Sequence, residues 1–332
     1  MSRQEFVEYD IEKAFFPVEL KSVYVKDGVE HSGYRKLSRH HVVMDKEKSH
    51  PFAVVTSNYH LVSNEEAYKK SKELFSKVFG KISYEDMQCF NVTMPSTRSF
   101  CHIDFIHKES DFDIWENDSW TPFIRITNSY NRTKLLKYEL GFCRWICRNG
   151  MIFGTKSVEF SYSHSKSQKE NIERFAENIG DIKKIESDLI DNLTQLKNFP
   201  FEENLMFPLV LKVFDIQTNI KTGSTKEKLK KAEKLLEIKD YTASLSEKYF
   251  DELGVNGYSA FNVLTDFATR PVGVISPASQ INSYQKKCGT WMDQFISEKK
   301  AANFNFETYL DSFLITAKII DSLHQKLNGS SE

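Results

Sequence analysis

The feature that most constrains this chain is a change of hydrophobic period near residue 165. Before it, short β-branched and aromatic runs alternate with turn residues. After it, apolar side chains recur every three or four positions. A period of two builds strands with one buried face, and a period near 3.6 builds amphipathic helices. The chain is therefore expected to be α+β, with the two kinds of element separated along its length. The predicted layout is an antiparallel β-rich N-terminal domain over residues 1–165, carrying an inserted capped helix, followed by a mainly helical region over 166–332.

Residues 18–62 predict three strands in a meander, with Asp27-Gly28 as a turn and 49–51 interrupting the next pair. Ser63 and Glu66 have the spacing of a capping box, and Ala67, Leu74, Phe75 and Val78 follow in helical rhythm before Gly80. That places a helix over 64–79. Strands at 87–93, 99–107 and 122–128 are expected to continue the same sheet. The run 134–164 contains Asn149-Gly150, a strong hairpin signal, although its first part also fits a helix. Beyond residue 165 a long amphipathic helix is expected over 166–199, interrupted in its stripe only by Glu186. Further helices are predicted at 203–215, 225–238, 244–253, 260–268, 279–299 and 306–327. There is no repeat of 20 to 50 residues.

The formal net charge is −1, which gives no whole-chain argument for a nucleic acid or a membrane. Five cysteines without framework spacing fit a reducing cytoplasm, and no apolar run approaches the roughly 20 residues that span a bilayer. The motifs GxxxxGK[ST], GxGxxG and HExxH are absent, which argues against three standard enzyme classes. No catalytic residue, cofactor or metal ligand is assigned, and an enzyme is the less favoured expectation.

Local charge says more. Asp104, Glu109, Asp111, Asp113, Glu116 and Asp118 precede residue 121 against a single Lys108. Arg125, Arg132, Lys134, Lys137, Arg144 and Arg148 then follow against a single Glu139. Guanidinium groups beside the aromatic Trp145 are what a single-stranded DNA or RNA binder uses, phosphates on the cations and bases on the ring. In the competing arrangement the acidic stretch folds back on the basic strands and neutralises them, with Trp145 in the core. The same carboxylates allow a third expectation, a metal-dependent nuclease, but their spacing fits no calcium loop.

Other clusters favour structural roles. Cys143 and Cys147 with His164 lack the second ligand pair of a zinc site. His102 and Asp104 share one side of a strand, as a base and its orienting carboxylate would, yet no nucleophile is placed beside them. Arg39-His40-His41 stands alone. The stripe over 166–199 suits the buried face of a bundle, a homo-oligomer seam, or a module that docks on a host protein.

The segments PFIRITNSYNRTKL, FCRWICRNGMIFG and YSHSK resemble the core of the domain of unknown function 932 family, uncharacterised proteins of phages and plasmids. The matching positions are Asn128, Ser129, Arg144, Cys147, Asn149, Gly150 and His164, and TSNYHLVSNEEAY resembles the element before the family's capped helix. The likeness covers about 18–303. Arg132 stands where the family's turn usually has glycine, and bulky Phe142 where small residues precede the arginine. The resemblance implies a phage or mobile-element setting and no activity. The order over 74–128, a helix ending in Phe-Gly and then a meander, is also similar to single-strand annealing proteins of phage recombination. Those proteins follow the meander with a helix where this chain has its expected hairpin. The local charge, in that phage or mobile-element setting, gives the first expectation, a non-enzymatic single-stranded nucleic-acid binder or recombination accessory.

Overall fold

A computed structural model describes residues 11–26, 33–79, 87–107, 110–145, 149–152, 159–162, 182–216, 224–274, 276–299 and 305–328. The chain is α+β, with antiparallel sheets in its N-terminal half and helices in its C-terminal half. It divides into two compact units, Met1–Ile146 with Thr155–Ile182, and Cys147–Gly154 with Lys183–Glu332. The division differs from a single cut at 165, because a short strand before that point groups with the helices.

The first unit holds two sheets rather than the one continuous sheet expected. Strands β1 (Val18–Lys26), β2 (Tyr34–Asp45) and β3 (His50–Thr56) form a meander in that order. The β1–β2 register shifts between Ser22 and Val23, where His41 and Leu37 are their partners. One end of this sheet closes over Phe16, Val43, Val55 and Tyr130, with Phe52 and Tyr59 against them. The chain then turns into helix α1 (Asn64–Phe79), where the Ser63 hydroxyl accepts the Glu66 amide at 3.0 Å as the capping spacing predicted. This helix stands between the two sheets in sequence. It lies on the second sheet, with Tyr138 donating to the Ala67 carbonyl at 3.2 Å and Tyr68 edge-on to Phe105.

That second sheet contains β4 (Met87–Thr93), β5 (Phe100–His107), β6 (Phe112–Trp115), β7 (Asp118–Ser129) and β8 (Leu136–Arg144). The next strand in sequence, β9 (Asn149–Ile152), belongs to the other unit, and β10 (Glu159–Tyr162) returns to this sheet. The order is β10-β8-β7-β5-β4, with β6 on β7. The acidic stretch is thus no loop but a strand and tight turn leading into β7, with Asn117 at φ 64. The opening of the 134–164 run is strand, not helix.

The second unit follows the predicted helices closely: α2 (Ile182–Lys197), α3 (Met206–Val213), α4 (Thr225–Leu253), α5 (Gly257–Thr269), α6 (Pro277–Lys299) and α7 (Phe306–Asn328). The expected break at 238–244 does not occur. Thr242 and Ser246 place their hydroxyls on the carbonyls four residues back, at 2.7 and 2.8 Å, so these polar residues are absorbed within α4. Ser224 with Glu227 and Asn256 with Ser259 form capping boxes at the starts of α4 and α5. In the described part of the 166–199 stripe, Leu189, Leu193 and Leu196 are fully buried. Glu186 is buried with them and meets Lys183 at 2.8 Å. Among the described residues no helix is long and apolar enough to cross a membrane.

Candidate nucleic-acid interface

Register decides what the basic residues of the second sheet can do. Directly opposed residues of antiparallel strands share a face. Asp104, Arg125 and Glu139 oppose one another across β5, β7 and β8, and so do His102, Thr127 and Lys137. One face of the sheet therefore carries two adjoining polar rows, and all of these residues except Lys137 are buried. Arg125 is 0% exposed and forks onto Asp104, Nε to Oδ1 and Nη2 to Oδ2, both at 2.5 Å. Asn91 donates to the same carboxylate at 3.2 Å. At the end of β8, Arg144 forks onto Asp118 at 2.7 and 3.2 Å. These arginines answer carboxylates inside the protein, so neither offers a fork to a phosphate. Of the acidic stretch, Asp104 and Asp118 neutralise basic strands as the competing arrangement supposed, whereas Trp145 is only half-buried and not in the core.

The other predicted contacts are scattered. Arg132 is exposed in the turn after β7, at φ 63. Lys134 is half-buried, 4.8 Å over the Phe100 ring, and burial lowers its pKa. Lys137 is half-buried on β8. Trp145 is half-buried, its amide held by the Ser119 carbonyl at 2.9 Å. Arg148 lies outside the described residues.

Three of the carboxylates suggested for a nuclease are likewise engaged, and Asp111 is half-buried. Asp104 and Asp118 hold arginines, Asp113 accepts from Ser119, and Glu116 sits in the exposed turn. The described residues contain no group of three or more His, Cys, Asp or Glu side chains able to hold a metal ion. His102 and Asp104 do not pair. His102 Nδ1 is 2.7 Å from Thr127 Oγ1, while Asp104 turns to Arg125 and Asn91. Burial, and then the positive charges of Arg125 and Lys134, hold His102 well below the usual histidine range, so its ring is neutral.

An open basic surface exists elsewhere, on the first sheet. Residues 20–26 and 34–43 contain Lys21, Lys26, Arg35, Lys36 and Arg39 and no Asp or Glu. Beyond the register shift, Tyr24 opposes Lys36 and Lys26 opposes Tyr34. The four side chains form a checkerboard on one face of a two-stranded ribbon. All four are exposed, Tyr24 by 57% and Tyr34 by 73%, whereas Val23, Val25 and Leu37 on the opposite face are half-buried. Lys21 is tied to Glu19 at 3.0 Å. Sequence reasoning took this region only as a meander. The missed signal was the pair of carboxylate-free runs, which gains meaning only once the register puts tyrosine beside lysine.

The described family-motif residues make contacts within the protein. Asn128 donates to the Val62 carbonyl at 3.0 Å and to Asn64 Oδ1 at 2.9 Å, fastening the start of α1 to β7. The Ser129 hydroxyl closes the following turn, donating to the Lys134 carbonyl at 2.8 Å. Asn149 and Gly150 begin strand β9 instead of forming the centre of a hairpin turn. Asn149 is fully buried because its amide is needed in the helical unit, donating to Tyr249 and accepting from Arg270 at 3.1 Å. Tyr249 donates onward to Asp266 at 2.7 Å, and the Gly150 amide reaches Thr269 at 3.3 Å. Cys143 is a buried thiol, whereas Cys147 and His164 lie outside the described residues.

A family model described as Domain of unknown function (DUF932) matches residues 51–285. No curated protein and no solved structure matches the chain.

Proposed function

The chain belongs to the DUF932 family, and from that starting point we propose that it is a non-enzymatic single-stranded nucleic-acid-binding protein, an accessory of a phage or mobile element. Its contact surface is the β1–β2 ribbon. One observation carries this reading: Tyr24, Lys26, Tyr34 and Lys36 alternate on one exposed face within runs free of carboxylates. Exposed rings can stack bases of any sequence, and ammonium groups beside them can follow the phosphates. The ribbon precedes the family segment, so the interface is a property of this chain and not one brought by membership.

Replacing both tyrosines by alanine tests the stacking. Y24A/Y34A should weaken binding to a labelled single-stranded oligonucleotide by about 1–3 kcal/mol per lost base contact, read by fluorescence anisotropy. Y24F/Y34F keeps the rings and should retain affinity. Both variants should unfold as the parent does, because these side chains are exposed. Equal affinity for the parent and the alanine variant sinks this assignment.

A second reading, a module acting on a host protein, is favoured by Ile315 and Ile319 of α7. They are 61% and 39% exposed and one turn apart. Two side chains are far less than the roughly 20 residues a side of a standard interface, so this reading stays second. Capture of a host protein that survives I315A/I319A would remove its support.

A further inference from the structure

The helical unit holds a cavity of about 400 Å³ lined from α3, α6 and α7. Its walls include Lys212, Lys286 and Lys287 and no carboxylate. Along α6, Ser283, Lys287, Thr290 and Gln294 follow at helical spacing, so one face of that helix presents an ammonium group and three neutral side chains able to donate hydrogen bonds to the opening. Two of the lysines are fixed by neutral acceptors. Lys212 Nζ donates to the Tyr309 carbonyl at 2.5 Å and lies 3.7 Å over that residue's ring. Lys287 Nζ donates to the Phe214 carbonyl at 2.9 Å. A carbonyl orders an ammonium group without cancelling its charge, and an ordered charge binds an anion at lower entropic cost. Trp291 lines the same cavity, and its buried indole N–H has no hydrogen-bond partner among the described residues.

We infer that this cavity binds a small phosphorylated molecule, its phosphoryl oxygens on Lys212, Lys286 and Lys287 and its remaining polar groups on Ser283, Thr290 and Gln294. The volume lies at the lower end of the range for small-molecule sites, so the ligand is no larger than a nucleotide. The aromatic rings at the wall do not offer it a stacking face. Tyr309 is covered by Lys212, and Trp291 is stacked on Phe295 with centroids 4.9 Å apart. Recognition therefore rests on the phosphoryl group, and inorganic pyrophosphate is the simplest probe.

Calorimetric titration of the full chain with pyrophosphate, and separately with ATP, at fixed ionic strength tests the assignment. Saturable binding is expected, weakened about tenfold to hundredfold in K287Q, which removes a charge-assisted hydrogen bond. Because Lys287 also caps a carbonyl, a second variant guards against a folding defect. Ser283 is exposed, so S283E should leave thermal unfolding unchanged while a carboxylate at the mouth abolishes pyrophosphate binding. ATP binding without pyrophosphate binding would overturn recognition through the phosphoryl group. No saturable binding of either probe, or S283E binding like the parent, would overturn the site. The outcome is independent of the ribbon, because Y24A/Y34A should bind pyrophosphate unchanged.

Discussion

Asp104 and Arg125 show how much a single pairing decides. Both are buried, and each uses the other as its main counter-charge. D104N keeps the shape and removes the carboxylate that both short bonds of the buried Arg125 fork engage. The expected loss is about 3–5 kcal/mol, measured by urea unfolding. His102 adds a pH dependence of definite sign. Its folded pKa is depressed, so from about pH 6.5 downward the unfolded chain takes up a proton that the folded chain refuses. Stability contributed by this residue is complete above that pH and falls below it by up to about 1.4 kcal/mol per pH unit. H102Q, which can still meet Thr127, should show a shallower loss between pH 7 and 5, and an unchanged slope would contradict the assignment. The charge reversal near residue 121 was legible in the sequence. That Arg125 and Arg144 would answer Asp104 and Asp118 was not, because cross-strand register depends on turns and bulges that composition does not record. Arg132 carries a related lesson. It holds the turn after β7 in the left-handed region at φ 63, with Asn131 accepting the Thr133 amide at 3.1 Å.

Among the elements, those with strong local signals were read correctly. Helix α1 begins at its Ser63 cap and ends at Phe79, and strand β4 spans 87–93 as expected. Errors arose where a local signal met a tertiary demand. Asn149-Gly150 has the chemistry of a tight turn, yet the buried Tyr249 and the guanidinium of Arg270 hold Asn149 in a strand. Phe142, whose bulk the sequence left without a partner, meets Phe112 of β6 edge-on at 5.9 Å. The junction of α2 and α5 is a close approach that the sequence did not reveal. The Gly257 amide donates to the Phe199 carbonyl at 2.9 Å, and a Cβ on Gly257 would stand 2.7 Å from the Leu196 carbonyl oxygen. G257A should destabilise the helical unit by about 1–3 kcal/mol, since the obstacle is backbone and cannot swing aside. Thermal unfolding followed by circular dichroism at 222 nm checks this, and a neutral effect would mean that α5 can shift along its axis.

For the molecule as a whole, a net charge near zero conceals a division of labour between buried and exposed charge. The second sheet neutralises its strongest cations internally, while the first sheet leaves Lys26 and Lys36 exposed beside Tyr24 and Tyr34. The expected nucleic-acid chemistry is thus assigned to a different surface from the one that sequence charge first suggested. The most direct test compares three proteins on one labelled single-stranded oligonucleotide over a salt series: the parent, K26Q/K36Q, and K134Q/K137Q. Parent affinity should fall steeply with salt. Losing the two ribbon lysines should lower affinity and make the log–log slope shallower by about 1.4, the value for two phosphate contacts on a single strand. K134Q/K137Q should keep the parent slope. Absence of parent binding at about 50 mM salt, or a K26Q/K36Q slope equal to the parent's, would contradict the ribbon as the nucleic-acid interface.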